Sequence, residues 1–258
     1  MDLLLNELLS PTMALVLVIA AFFSSFITAA MGAGGGLLLL VLMASLLPMM
    51  IVIPVHGLVQ LGSNANRALA TIKHVDLPML LYFSLGGVLG AALSTTVISQ
   101  ISLEPMKLVL AIFILYLLWG KKPTFIGSSP SSRVVAGAIT SFLSFFVGAS
   151  GPLVGSYMYV NYLNQTALQD KLRFTATFSS CMTMQHSFKA IIFTLLGFGF
   201  TQWLPLVCAM VISGALGTFA GLKLLNRITT TNFSKLFKLT LSLLALQLAY
   251  VGAGHFIH

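Results

Sequence analysis

Apolar residues run in long stretches along this chain, and polar residues gather where Pro, Gly or an ionised side chain interrupts them. The interruptions fall so as to leave segments at 11–31, 34–47, 49–72, 77–99, 105–120, 133–149, 152–164, 170–196, 202–224 and 232–254. From Leu8 to Asn66 no side chain is ionised unless His56 is protonated, and one membrane crossing needs about 20 apolar residues. The pattern predicts an all-α polytopic membrane protein of 8–10 helical segments with almost no mass outside the bilayer. Asp76 with Pro78, and Glu104 with Pro105, read as helix starts, with an acid at the positive end of the dipole and Pro in the first turn. Segments 34–47 and 152–164 are too short to cross. At 1.5 Å per residue they reach about 20 Å, against a hydrocarbon core of about 30 Å. Each follows a glycine-rich break, so each is expected to form half of a hairpin that enters the membrane and leaves on the same side.

Composition agrees and excludes other classes. Charged residues make up 7% of the 258 and hydrophobic ones 58%, where a soluble domain carries about 25% charge. The net charge of +8 is spread among apolar segments rather than gathered into a solvated patch, so nucleic acid is not an expected partner. Cys181 and Cys208 sit alone in apolar runs and are read as packing residues. No histidine pair inside the chain has ligand spacing, and neither a metal nor another cofactor is expected. The segment before Pro11 lacks the positive n-region of a cleaved signal peptide, so the first apolar stretch is expected to stay as a span.

The positive-inside rule then orients the chain. If 49–72 runs inward, eleven of the 13 Lys and Arg residues fall on the cytoplasmic side, Lys107 lies outside and Lys189 lies within a span. Both termini come out external, and a bacterial inner membrane is the expected location.

The two halves resemble each other. Ser25-Phe-Ile-Thr-Ala-Ala-Met-Gly-Ala-Gly-Gly-Gly-Leu37 aligns without gaps to Ser141-Phe-Leu-Ser-Phe-Phe-Val-Gly-Ala-Ser-Gly-Pro-Leu153. Gly87-Val-Leu-Gly90 answers Gly214-Ala-Leu-Gly217, and Lys107-Leu-Val-Leu-Ala answers Lys235-Leu-Phe-Lys-Leu. The reading is of two inverted-topology repeats, 1–120 and 133–258, joined by a cytoplasmic linker at 121–132. Each would be a broken Gly-rich hairpin plus three transmembrane helices. Inverted repeats with interrupted segments at matching positions mark secondary transporters, whose two near-equivalent packings give alternating access.

The Gly-Ala-Gly-Gly-Gly-Leu element at 32–37, its partner Gly-Ala-Ser-Gly-Pro-Leu at 148–153 and Asn64-Ala-Asn-Arg67 resemble the TauE/SafE family of anion permeases. The resemblance covers nearly the whole chain and implies export or uptake of sulfite, thiosulfate-like and organosulfonate anions. The Pro that often follows the first Gly-rich element closely stands at Pro48 here.

The residues themselves nominate a place for an anion. Free N–H groups and the dipole make a helix start attractive to negative charge. Gly34, Gly35 and Gly36 in one half, and Ser150, Gly151 and Pro152 in the other, would aim two such starts at a shared midplane site. Asn64-x-x-Arg67 and His186-x-x-Lys189 each place two polar residues on one helix face. A charge in hydrocarbon costs about 2.5–3.5 kcal/mol on translocon scales and normally faces an interior cavity. Lys189 is the stronger case, since Arg67 lies near enough to Lys73 to reach the cytoplasmic interface. Gln60, Ser63, Gln185 and His186 are candidates to complete an oxyanion's hydrogen bonds, and His56, behind Pro54, is read as serving packing or a kink.

No carboxylate falls near the bilayer centre, so ion coupling would need His186 or backbone carbonyls; otherwise the protein is a facilitator. An interior-negative potential drives anions outward, which favours export. Two rivals stand. Gly148-Ala-Ser-Gly-Pro-Leu-Val-Gly155 resembles the motif of rhomboid-type intramembrane serine proteases, with His186 as base. An anion channel is the other. Lipid-facing Gly and Phe surfaces make a homodimer a further expectation. The topology itself is testable. A C-terminal alkaline phosphatase fusion is expected to be active and a C-terminal green fluorescent protein fusion dark; the opposite pair of results overturns the orientation.

Overall fold

The computed structural model describes residues 9–31, 34–98, 100, 105–120, 127–162, 168–224 and 230–254. Among them the chain is entirely helical. The order is α1 (Pro11–Met31), α2 (Gly35–Leu46), α3 (Met49–Ala70), α4 (Leu77–Ile98), α5 (Met106–Trp119), α6 (Pro130–Val147), α7 (Gly151–Tyr162), α8 (Leu168–Leu195), α9 (Leu204–Leu224) and α10 (Thr230–Gly254). Short 3-10 turns at Ile72–His74 and Thr201–Trp203 lead into α4 and α9. The Glu104 helix start and the charges at Lys121, Lys122 and Arg227 lie outside the described residues.

Local chemistry sets the boundaries. Ser129 caps α6, its Oγ accepting the Ser132 N–H at 3.2 Å, with Pro130 in the first turn. α6 stops at Gly148, whose φ of 73° is open to glycine at little cost. α2 stops at Leu47, in extended conformation because Pro48 follows. At the start of α4, Asp76 Oδ1 accepts the Met79 N–H at 3.1 Å.

The short helices double back as expected. A Cβ on Gly35 would collide with the carbonyl of Ser24, so α2 begins beside the turn of α1 that lies eleven residues earlier. On the other side, the Tyr157 hydroxyl of α7 reaches the Gly127 carbonyl ahead of α6 at 3.4 Å. α2 and α7 have 12 residues each, about 18 Å of rise. α5, at 14 residues, is a third short helix that the sequence punctuation did not separate from full spans. Pro11–Ala29, Leu77–Ile98, Pro130–Val147 and Thr201–Gly221 are long and apolar enough to cross a membrane. They belong to α1, α4, α6 and α9, which carry exposed Leu15, Ile19, Leu81, Leu85, Ile139, Ile212 and Leu216. Cys181 is buried, but Cys208 is exposed on α9 rather than packed.

α1 packs on α9 and α4 on α6, while α3 and α8 pack on each other and α5 on α10. The same seam is built twice. Gly86 and Gly90 of α4 lie against the carbonyls of Val134 and Ala138, and Gly87 faces Ser141 Oγ. On the other pair, Ser213 Oγ donates to the Val18 carbonyl at 2.7 Å. There Gly217 lies against the Phe22 carbonyl and Gly214 faces Ser25 Oγ. Ser25 and Ser141 are partners in the gapless alignment of the halves, and Gly87 and Gly214 answer each other in the second matched segment. Small residues permit this backbone approach between helices.

One polar corner joins the halves. Asp76 Oδ2 accepts from Arg173 Nη2 at 2.8 Å and from the Tyr162 hydroxyl at 2.9 Å, and the Asp76 N–H donates to Thr177 Oγ1 at 2.9 Å. The Arg173 guanidinium also lies 5.5 Å from the Tyr162 ring centroid. Burial pushes the Asp76 carboxyl upward, but the Met79 N–H, Tyr162 and Arg173 together outweigh it and hold the group below its ordinary value. Position 76 corresponds, in the register of Gly87 with Gly214, to Trp203, which is buried in the main apolar core.

Two outcomes follow. Gly90→Val is expected to force α4 off α6, costing about 1–3 kcal/mol or more as overpacking; its melting temperature in detergent should fall, while Gly199→Ala, at an exposed site with only a loose neighbour, should leave it unchanged. Because Asp76 is depressed in the folded state, its contribution is present above the unfolded carboxylate value of about 3.9 and is lost as pH falls through the folded value. Thermal melts in acid should therefore show a pH-dependent loss that Asp76→Asn flattens.

Candidate functional site

α3 and α8 carry the polar residues that the outer helices lack, and they meet at the centre of the bundle. α3 is built around Pro54, which removes one backbone N–H from the helix interior. Two residues on, His56 is 1% exposed, and its Nε2 donates to the Gly36 carbonyl at 2.9 Å. The Gln60 amide reaches the same ring nitrogen at 3.3 Å. Lys189 of α8 is 0% exposed. Its ammonium donates to the Gly148 carbonyl at 3.1 Å and lies 6.0 Å from the Phe145 ring centroid. The Lys189 stem passes over Gly57, where a Cβ would come within 2.8 Å of Lys189 Cδ. Side chains from α3 and α8 thus each hold a carbonyl of one glycine break.

A second chain of hydrogen bonds runs beside this pair. Ser150 Oγ donates to Gln185 Oε1 at 2.6 Å, Gln185 Nε2 donates to Thr140 Oγ1 at 2.7 Å, and Thr140 donates to the Ala136 carbonyl at 2.7 Å. The direction of every proton in it is fixed by the backbone acceptor at its end. Ser150 therefore gives its proton to an amide oxygen, not to a histidine, which is not the nucleophile–base pair that serine catalysis needs. His186, one turn before Lys189, is 2% exposed, and Nδ1 of both His186 and His56 lacks a hydrogen-bond partner.

The sequence-nominated residues divide. Gly36, Ser150, Gln185, His186 and Lys189 belong to these contacts, as does Gln60. Gly34 caps α2 at φ 104°, and its carbonyl accepts the Leu37 and Leu38 N–H groups at 3.0 and 3.2 Å. Gly35 is required by packing on α1, as described above. Gly151 opens α7 with ordinary van der Waals neighbours only, and Pro152 stands in its first turn. Ser63, Asn64 and Arg67 lie elsewhere. Asn64 Nδ2 bonds back to the Gln60 carbonyl of its own helix at 2.8 Å. Arg67 is ten residues beyond Gly57, about 15 Å along α3. His56 and Gln60, rather than Asn64 and Arg67, are the polar α3 residues at the crossing with Lys189. His56 is more than a packing residue, and the available signal was Pro54-Val-His56-Gly57 in the middle of a charge-free run. Thr140 and the Gly148 carbonyl had no sequence signal.

Short broken helices that double back inside a helical bundle, around a buried lysine, define an integral membrane protein of the transport class. The chain belongs to the TauE/SafE family: the family model described as Sulfite exporter TauE/SafE matches residues 17–248. No curated protein and no solved structure matches it.

Proposed function

We propose that this protein exports small sulfur oxyanions, such as sulfite, thiosulfate-like ions or organosulfonates, by alternating access across the bacterial inner membrane, with both termini outside. The observation that carries the reading is Lys189, a wholly buried basic side chain at the meeting of the two glycine breaks. A site built from backbone dipoles and one cation reads charge and oxygen geometry, which suits a family of related oxyanions. Gly34, Gly35 and Gly36 on one side and Ser150, Gly151 and Pro152 on the other flank the anion in this reading, with Gln185 and His186 beside it. The cluster is complete within one chain.

The duplicated seams support two inverted units, 1–120 and 133–258, and hence two exchangeable packings. Asp76, Tyr162 and Arg173 act as the latch of the cytoplasmic side, and the core around Trp203 closes the external one. Carrier behaviour, rather than a channel, follows from a site sealed within the bundle.

Isothermal binding with a panel of sulfur oxyanions tests the proposal. Loss of a charge-assisted bond of about 1.5–3 kcal/mol weakens affinity roughly tenfold to over a hundredfold, so Lys189→Ala should bind correspondingly worse while Arg67→Ala stays near the native value. Unchanged affinity in Lys189→Ala removes that residue from the site.

A further inference from the structure

Among the described side chains no acid answers Lys189. Of the five acidic residues, Asp76 is the one with a described side chain, and it is bound to Arg173 and Tyr162 at the corner. Asp170 begins the same helix as Lys189, nineteen residues earlier, about 28 Å away along the axis. What faces Lys189 is basic, neutral or aromatic. α3 presents His56 and Gln60, α8 itself His186 and Gln185, α6 the Phe145 ring and the Gly148 carbonyl. α2 contributes the Gly36 carbonyl, the start of α7 gives Ser150, and α4 approaches α8 through Gly87 against Phe188. Three nitrogen bases are thus buried together in the bundle, and both imidazoles keep an Nδ1 without a hydrogen-bond partner.

An uncompensated charge in such a place costs several kcal/mol, and a group so placed sheds its charge instead. An anion arriving within hydrogen-bond distance reverses the balance, because the ion pair is strongest where the dielectric is low. Protonation and anion binding are then two halves of one event.

Resting on the anion-transport reading above, we propose that the Lys189–His56–His186 cluster carries one proton with each anion, so that the protein is a proton–anion symporter. The empty site reorients with Lys189 as the neutral amine. A proton and the anion enter from one side, the amine becomes the ammonium paired with the anion, and both leave on the other side with the amine restored. For a monoanion the cycle moves no net charge, so an outward anion gradient drives export against any inward proton gradient, with no push from the membrane potential. Lys189 holds the proton because its Nζ is the group of the three already bonded at the Gly148 break, and the two histidines keep the site free of any fixed counter-charge.

The test uses the full-length protein in liposomes containing a trapped pH dye, with valinomycin and potassium to set the voltage. The probes are ethanesulfonate, thiosulfate and, in alkaline buffer, sulfite, none of which carries a proton itself. Entry of labelled anion is expected to acidify the lumen by one proton per anion. For ethanesulfonate, the final accumulation ratio should not move when 100 mV is imposed, whereas uniport of a single charge would shift it about fiftyfold. Lys189→Arg, which stays charged, should still bind the anion but lose the coupled acidification. Anion entry without acidification, with accumulation following voltage, overturns the symport while leaving transport intact. No saturable flux or binding of any probe by the native protein overturns both readings.

Discussion

Backbone groups exposed in hydrocarbon have no water to bond, so a helix can be interrupted inside a membrane only where the protein supplies partners for the freed groups. Everything distinctive in this structure follows from meeting that requirement twice. The Gly36 carbonyl receives His56 and the Gly148 carbonyl receives Lys189. Without Lys189 the carbonyl of Gly148, at the end of α6, would lose its side-chain donor, and without the breaks His56 and Lys189 would be polar groups buried for nothing. Each makes the other tolerable, and the pair fixes how α3 and α8 cross.

The helices were legible because their cause is local. Pro48 ends α2, Pro130 and Ser129 start α6, and long apolar runs leave no other structure available in lipid. All ten segments coincide with helices to within a few residues. The site was legible only in part, for a reason of the same kind. Lys189 announces itself as a charge far from a span end, and the glycine clusters as breaks. The partner of a buried charge, however, can be a carbonyl, which every residue owns, so Gly148 carried no mark. Asn64-x-x-Arg67 shows the limit of spacing, because a polar pair on a helix face looks the same whether it faces the centre or, like Asn64, bonds back to its own helix. His56 was discounted as an isolated histidine, and only the doubling back of α2 brings the Gly36 carbonyl to it.

The two halves are alike in their seams and unlike in their corners. The register that sets Gly87 with Gly214 puts Asp76 opposite Trp203, a carboxylate node against an indole in an apolar core. Positions matched in that register thus carry two different kinds of contact, one electrostatic and one hydrophobic. The first responds to pH and ionic strength, the second to temperature and to the solvation of apolar surface.

The glycine seams constrain motion as well as packing. α1 is sewn to α9 and α4 to α6, backbone against backbone, and each of those pairs takes one helix from either half of the sequence. Neither half can therefore swing as a body without tearing two close-packed seams. The close-packed pieces of this fold are composite: two stitched pairs, each with one helix from either half of the sequence, set beside the crossing of α3 and α8. A boundary drawn at the middle of the sequence therefore separates helices that the packing holds together.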